Sequence, residues 1–299
     1  MTESRSPWFK LSRNPAVVLS AGILSVAALA AIFGPDLLPA SAGEVTRHSF
    51  LPPSRQHFFG TDLNGRDLFY RVLLGARISM LVGVTGALVS FAVGIIYGMI
   101  AGYVGGQADS IMMRLVDMLY AIPRLIFLLV LISALDPVLR RIMAAHGLGG
   151  LIGYSKIFIL IFCLGLTEWL TMARIIRGQI LSLKSQQFVL AARSIGQSHF
   201  NIIFQHLLPN LLGLALVYLT LTVPAVILDE SFLSFLGVGV QAPLASWGLL
   251  LGDAAQVINP IKGYWWLLVF PVIAMSLTLL ALNFLGDGLR DALDPRQRK

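Results

Sequence analysis

Six long apolar segments constrain this 299-residue chain more than any other feature of its sequence. Each is long enough to cross the hydrocarbon core of a bilayer, which is about 30 Å thick. They lie at residues 15–33, 78–101, 116–135, 157–173, 211–229 and 264–285. Because backbone polar groups in lipid must be bonded internally, the sequence predicts an all-α integral membrane protein with six transmembrane helices. The alternating segments of about ten residues that are typical of a membrane β-barrel are not found in it.

The composition supports a membrane protein and argues against other classes. Only 12% of the residues are charged, whereas a soluble domain carries about 25%. The net charge is +7, but Lys and Arg lie beside the apolar segments rather than on one face, so nucleic-acid binding is not expected. Cys163 is the only cysteine, which excludes an intrachain disulfide and a thiolate metal cluster.

The distribution of Lys and Arg predicts that both termini are cytoplasmic. With the N-terminus inside, twelve of these residues fall on the inner side and nine on the outer side. This orientation is favoured because positive residues concentrate on the cytoplasmic side of membrane proteins. The first apolar segment, with 19 residues, is longer than the apolar core of a signal peptide, about 7–15 residues. We therefore interpret it as an uncleaved anchor helix, although "ALAA" at residues 28–31 resembles a cleavage site.

These segments divide the chain into three predicted regions. They are an N-terminal anchor helix with an extracytoplasmic loop (1–77), a helical core (78–290) and a cytoplasmic tail (291–299). Within the second segment, Gly94, Gly98 and Gly102 recur every four residues. This spacing flattens one helix face and lets another backbone approach. Packing within the chain is favoured over a contact between subunits.

One stretch between two apolar segments, residues 188–210, is half polar. Its second half has apolar residues at i, i+3, i+4, i+7 and i+8, which predicts a helix with one apolar stripe. The five residues are Phe200, Ile203, Phe204, Leu207 and Leu208. Ala191 and Ala192 form a smaller apolar face before it, Gly196 offers a turn between two helices, and Pro209 is predicted to end the second helix. Such a segment can lie on the membrane surface, pack on its own bundle or dock on a partner.

At this point the sequence resembles the cytoplasmic loop of binding-protein-dependent ABC importer permeases. The pattern of that loop is Glu-Ala-Ala, three residues, Gly, and then a spaced Leu-Pro. The residues that fall on it are Ala191, Ala192, Gly196, Leu208 and Pro209. Three further stretches, "FFGTDLNGRDLFYRVLLGARISMLVG" (58–83), "DESFLSFLGVGVQAPLASWGLLLGDA" (229–254) and "NFLGDGLRDALDP" (283–295), resemble the C-type permease subunit of oligopeptide and dipeptide importers. The resemblance covers nearly the whole chain.

The resemblance implies a type I ABC importer permease fold in the inner membrane of a bacterium. It implies a homologous second permease subunit, two cytoplasmic ATPase subunits that bind ATP and Mg, and an extracytoplasmic peptide-binding protein. In the family the loop docks as a coupling helix in a cleft of an ATPase subunit. The implied coupling residues here are Ala191, Ala192, Arg193, Gly196, Gln197, Leu208 and Pro209. The Glu of the family pattern is replaced by Leu190, so no ion pair is assigned at that position.

The implied function is therefore import of di- and oligopeptides by a subunit that is not itself an enzyme. Nickel, glutathione or another small solute is an alternative cargo for the same machinery. A stand-alone secondary transporter or channel would predict charged residues at mid-membrane or inverted repeats. Charge within the apolar segments is nearly lacking, and the sequence has no clear internal repeat. The phosphate-binding pattern Gly-x-x-x-x-Gly-Lys-[Ser/Thr] is absent from it as well, so no cofactor is expected in this chain.

The stretch "TDLNGRD" (61–67) contains part of the pattern of a calcium-binding loop. Asp62, Asn64 and Asp67 lie close together, but the twelfth position holds Leu73, where a calcium loop requires Glu. A turn at Asn64-Gly65 followed by a helix start near Asp67 explains these residues equally well. No metal site is predicted.

Asp229, Glu230 and Arg124 are among the charged residues that lie in or beside the apolar segments. Asp229 and Glu230 lie where the fifth segment meets the outer face, and we interpret them as hydrated helix ends, with a role in the translocation pathway as the alternative. The stretch "SFLSFLGVG" after them is too short to span the membrane and is expected to form a re-entrant or surface helix. Arg124 follows Pro123 near the cytoplasmic end of the third segment, where reaching to water is favoured over lining a pore.

Overall fold

The computed structural model describes residues 14–257 and 263–293, and its regular elements within these ranges are helices. They are α1 Pro15–Leu37, α2 Leu68–Val104, α3 Gly106–Ala121, α4 Arg124–Ala145, α5 Ser155–Leu183, α6 Gln187–Ser194, α7 His199–Phe235, α8 Trp247–Val257 and α9 Trp266–Leu293. The all-α prediction is confirmed. The basic residues before residue 14 and the tail beyond residue 293 lie outside the described residues.

Within residues 14–257 and 263–293, five helices have the length and apolar composition of a membrane span. They are α1, α2, α5 together with the 3₁₀ turn Gly149–Tyr154 before it, α7 and α9. The predicted third span, 116–135, is not one straight helix, because α3 and α4 meet at 90° and qualify only as a bent pair. The break follows from Pro123, since the residue before a proline avoids the helical region. Ile122 is accordingly extended, with φ −81° and ψ 129°.

The second span begins earlier than predicted. The boundary between the predicted regions 1–77 and 78–290 falls inside α2 and is therefore wrong. Two arginines interrupt the apolar pattern there, but both are paired in the folded chain. Arg71 donates to Asp62 at 2.8 Å, and Arg77 donates to Asp36 at 2.7 Å. The predicted helix start is confirmed: the Asp67 carboxylate caps α2 by accepting from the Tyr70 amide at 3.1 Å.

Helix α7 is longer at both ends than the fifth predicted span. Pro209 does not end a helix. Residues Ile202–Leu207 form a π-helical turn in which the Leu208 amide donates to the Ile203 carbonyl. After this wider turn the helix continues through Pro209, although proline has no amide hydrogen to donate. At the other end α7 continues to Phe235. The first five residues of "SFLSFLGVG", which are predicted to form a re-entrant or surface helix, therefore belong to α7, and the prediction is wrong for them.

The glycine stripe of α2 packs against α5, so the predicted packing within the chain is confirmed. A Cβ atom at Gly94 would lie 2.5 Å from the Met172 Cβ, and one at Gly98 would lie 2.5 Å from the Ala173 carbonyl oxygen. At Gly102 the nearest atom would be 2.8 Å away. These three positions exclude any side chain at the present helix separation, which brings the two backbones into direct contact.

Candidate coupling hairpin and charged cavity

The half-polar stretch folds as a helical hairpin, as its sequence predicts. Helix α6 ends at Ser194, and Gly196 has φ +76°, a left-handed conformation that glycine adopts without strain. The Gln197 amide then closes the turn by donating to the Ala192 carbonyl at 3.1 Å. Ser198 caps the start of α7 by accepting from the Asn201 amide at 3.2 Å.

The hairpin is fixed to the helix bundle by four buried apolar residues. They are Val189, Ala192, Ile202 and Leu207, which pack in one cluster with Ile176 and Ile180 of α5. Ala192 is therefore an anchoring residue rather than part of an exposed docking face. The predicted stripe is also wrong in part: the buried residues Ile202 and Leu207 are five positions apart, the spacing of the π turn rather than of an α-helix.

Polar contacts add to this attachment. The Tyr103 hydroxyl at the end of α2 hydrogen-bonds His199 Nδ1 at 2.7 Å, and the Arg193 guanidinium lies 5.7 Å from the centroid of the Tyr103 ring. Gln197, predicted as a coupling residue, bonds His206 Nε2 through its side-chain oxygen at 2.8 Å. Gln197 therefore acts within the hairpin, whereas Arg193 remains exposed.

Four large apolar side chains of the hairpin are exposed. Leu190, Ile195, Phe200 and Phe204 have exposed fractions of 49%, 76%, 67% and 47%, and we name these four residues the tip surface. The two phenylalanine rings lie 4.3 Å apart between centroids. Of the other predicted coupling residues, Ala191, Gly196 and Pro209 are exposed and Leu208 is half-buried. An exposed cluster of large apolar side chains is typical of an interaction surface.

A second site lies at the bend between α3 and α4. The Arg124 guanidinium donates to both Glu168 of α5 and Asp229 of α7, and we name these three residues the charged triad. The interpretation that Arg124 reaches to water at one membrane face while Asp229 lies hydrated at the other is wrong, because the two side chains are in contact. Sequence reasoning missed Glu168, although it is the only charged residue in the fourth apolar segment and such residues are functional candidates.

A cavity of about 510 Å³ opens beside the charged triad. Its wall consists of the bend, from Leu119 to Arg124, with Phe127 and Leu131 of α4 and residues 166–171 of α5. Its volume lies in the range of small-molecule sites, about 300–1,000 Å³. Arg124 and Glu168 supply charge to a wall that is otherwise mostly apolar or aromatic.

Glu230 occupies a different environment from its neighbour Asp229. It has no exposed surface, and its carboxylate accepts from Ser79 of α2 at 2.9 Å and from Ser234 at 2.6 Å. Ser79 in turn accepts from the Trp247 amide at the start of α8. Glu230 is thus neither a hydrated helix end nor a residue of an open pathway in this conformation, but joins α2, α7 and α8.

The Asp62 and Asp67 carboxylates of the stretch 61–67 accept hydrogen bonds from other groups of this chain. Asp62 accepts from the amides of Asn64 at 2.8 Å and Arg66 at 2.9 Å, and Gly65 has φ +71°, so the predicted turn is confirmed. Arg71, only 3% exposed, joins Asp62 to Asp253 of α8 at 3.0 Å. The stretch therefore fixes the loop before α2 to α8.

The chain is similar to known proteins over nearly its whole length. Residues 94–299 match the family described as "Binding-protein-dependent transport system inner membrane component". The chain is 45% identical over 303 residues to the dipeptide transport system permease protein DppC of Bacillus subtilis, covering 100% of this chain and 88% of that protein. It is 43% identical to the oligopeptide transport system permease protein OppC of Haemophilus influenzae, with 99% and 91% covered. With OppC of Escherichia coli K12 the identity is 42%, with 99% and 93% covered.

Proposed function

This chain belongs to the family of binding-protein-dependent transport system inner membrane components, and from that premise we propose that it is the permease subunit of an ATP-driven importer of di- and oligopeptides. It forms half of the translocation pathway together with a homologous second permease. Two cytoplasmic subunits bind ATP and Mg, and an extracytoplasmic binding protein delivers the peptide. Both termini and the hairpin lie on the cytoplasmic side of a bacterial inner membrane.

The tip surface is the observation that carries the coupling role. Its four side chains are apolar and exposed, while the opposite face of the hairpin is buried against α5. An apolar projection attached rigidly to a bundle suits insertion into a groove of a partner. Leu190, which replaces the Glu of the family pattern, lies on this surface with Ala191 beside it. Docking on the ATPase subunit therefore relies on apolar contact, with Arg193 as the nearest cation.

The length of α7 explains how motion at the hairpin reaches the membrane. The helix has 37 residues from His199 to Phe235, about 55 Å at 1.5 Å per residue. Phe200 and Phe204 lie at one end, and Asp229 of the charged triad lies near the other. Reversing a conformational preference from 1:99 to 99:1 requires about 5.5 kcal/mol of differential binding. The closing ATPase pair supplies it through the docked hairpin.

Uptake in cells lacking this gene tests the proposed function. Labelled di- and oligopeptides, nickel and glutathione are supplied with and without restoration of the gene. We expect peptide uptake alone to return, because the relatives that cover nearly the whole chain are named for dipeptide and oligopeptide transport. Return of nickel or glutathione uptake instead would overturn the peptide assignment. Transport by this chain alone in liposomes would overturn the ABC mechanism.

A further inference from the structure

The charged triad joins three helices that are distant in the sequence. Arg124 is the first residue of α4, Glu168 lies near the middle of α5, and Asp229 lies near the end of α7. Two carboxylates share one guanidinium, so the formal charge of the triad is negative. The exposed fractions are 42% for the Arg124 side chain, 10% for Glu168 and 19% for Asp229. The arginine is thus the most accessible member. Glu168 lines the cavity beside it, whereas Asp229 does not line the cavity and contacts it through Arg124.

The neighbouring polar contacts of α5 differ from the triad in their charge balance. Every third residue from Glu168 towards the end of α5 bonds a residue of α3 or the start of α4. Thr171 bonds Tyr120 at 2.5 Å, Arg174 donates to Asp117 at 2.5 Å, and Arg177 donates to Asp109 at 2.6 Å. The two ion pairs in this series match one carboxylate with one guanidinium. Within the series, only the triad has a carboxylate in excess, and the cavity opens beside it.

The cavity wall has the chemistry of a peptide site. Phe127 and Leu131 offer apolar contacts for a side chain, and Tyr120 and Thr171, whose hydroxyls bond each other, lie on the same wall. At the end nearest the triad, Glu168 and Arg124 face the same volume. An ammonium group has three donors and no acceptor, so it matches a pair of carboxylates that share a single guanidinium.

We infer that the cavity is a transit site for a peptide, whose amino-terminal ammonium binds between Glu168 and Asp229. This inference rests on the proposed function. On entry the ammonium replaces one of the two bonds that Arg124 makes, and the freed guanidinium donor turns to a carbonyl oxygen of the peptide. Asp229 belongs to α7, so a shift of that helix by the docked hairpin separates Asp229 from Glu168 and releases the ammonium.

The first test locates the peptide directly. The complete importer is reconstituted with its binding protein, and a tripeptide with a free amino terminus and a photoreactive leucine at its first position is supplied with ATP. We expect the label on residues 120–127 or 166–171 of this chain. The same tripeptide with the photoreactive leucine at its third position should label these residues several-fold less. Labelling of the two ranges to the same extent by both probes would count against binding of the amino terminus there.

The second test changes the charges and measures transport of the unlabelled tripeptide. Removing a charged partner of an ammonium group should lower transport by about tenfold or more in Glu168→Gln and in Asp229→Asn. Glu168→Asp, which keeps the charge, should recover most of the rate. Asp117→Asn is the matched control, because neither Asp117 nor its partner Arg174 lines the cavity, whereas Arg124, the partner of Glu168 and Asp229, does.

The two proposals fail in different ways. If the wild-type importer transports the tripeptide, yet the label lies elsewhere and both neutral variants transport at the wild-type rate, the transit site is overturned and the peptide importer stands. If the wild-type importer transports no peptide, the proposed function falls and the transit site falls with it.

Discussion

The carboxylates of Asp229 and Glu230 differ in their surroundings although one peptide bond separates them. Asp229 is partly exposed and binds Arg124, whereas Glu230 is fully buried and binds hydroxyl groups. Successive residues of a helix point about 100° apart, so Asp229 faces Arg124 of α4 while Glu230 faces α2 and α8. The pair therefore divides between the proposed transit site and a structural contact among three helices.

Replacing Glu230 should destabilise the protein. Glu230→Ala removes the acceptor of Ser79 and Ser234 and leaves a void, at a cost of about 3 kcal/mol or more. Glu230→Gln keeps the volume and one acceptor oxygen and should cost clearly less. Thermal unfolding in detergent, followed by size-exclusion chromatography, measures both. Equal melting temperatures for wild type and Glu230→Ala would show that the buried carboxylate is not needed to join the three helices.

Gly98 gives a second prediction at the scale of single residues. Its added Cβ would meet the Ala173 carbonyl oxygen at 2.5 Å, and a backbone atom cannot move away as a flexible side chain can. Gly98→Ala should therefore lower the melting temperature by several degrees, as expected for a loss of about 1–3 kcal/mol by overpacking. Gly22→Ala in α1 is the control, since a Cβ there meets nothing within 4 Å. A melting temperature that falls equally in both variants would contradict the packing argument.

At the scale of elements, the hairpin is the part whose conformation depends most on one residue. Gly196 has φ +76°, which a β-branched residue adopts only with strain, whereas Asn tolerates it. We expect Gly196→Val to insert and assemble but to hydrolyse ATP without transport. Gly196→Asn should remain coupled. The ratio of peptide transported to ATP hydrolysed in the reconstituted importer decides between them.

Ala192→Trp tests the same element from its buried side. Ala192 is 4% exposed, so a tryptophan there must push α6 away from α5 and displace the tip surface. Uncoupling is again expected, while Ala191→Trp, on the exposed face, should instead weaken association with the ATPase subunit. Normal association together with the wild-type transport rate in Ala192→Trp would contradict the proposed role of the hairpin.

The hairpin also shows what the sequence can predict locally. The periodicity of residues 200–208 predicts a helix and Gly196 predicts the break before it, and the structure confirms both. The periodicity does not predict which face of the helix is buried, because the π turn alters the spacing of the buried residues. Pro209 is the visible signal for that turn, since a proline removes one helical hydrogen bond. Whether the helix ends there or widens depends on contacts with α5.

At the scale of the whole molecule, the orientation is a prediction that single cysteines can test. Cys163 is buried, so it should give little background labelling. Val45→Cys lies in the loop between α1 and α2 at a position that is 67% exposed, and Ile195→Cys lies on the tip surface at 76% exposure. A membrane-impermeant maleimide should label only the first variant in intact spheroplasts and only the second in inside-out vesicles from cells that lack the ATPase subunits, since a docked ATPase would cover the tip surface. The reverse pattern would invert the topology.

The contacts of the charged triad could not be predicted from local pattern. Arg124 lies 44 residues from Glu168 and 105 from Asp229 in the sequence, and only the packing of α4, α5 and α7 brings them together. The apolar segments predict that these helices exist, but not their rotation about their own axes. A partial signal was present, because an isolated Arg and an isolated Glu within apolar segments are each costly in lipid unless they are paired.

The continuity of α7 has a consequence for the kinds of sequence change that this protein tolerates. Leu207, which anchors the hairpin, and Asp229 are 22 positions apart on that one helix. A substitution between them alters one contact, but insertion or deletion of a single residue rotates one end against the other by about 100°. The tip surface and Asp229 would then no longer face their partners at the same time. We therefore expect functional variants of this protein to differ in the residue types between Leu207 and Asp229 but not in the number of residues between them.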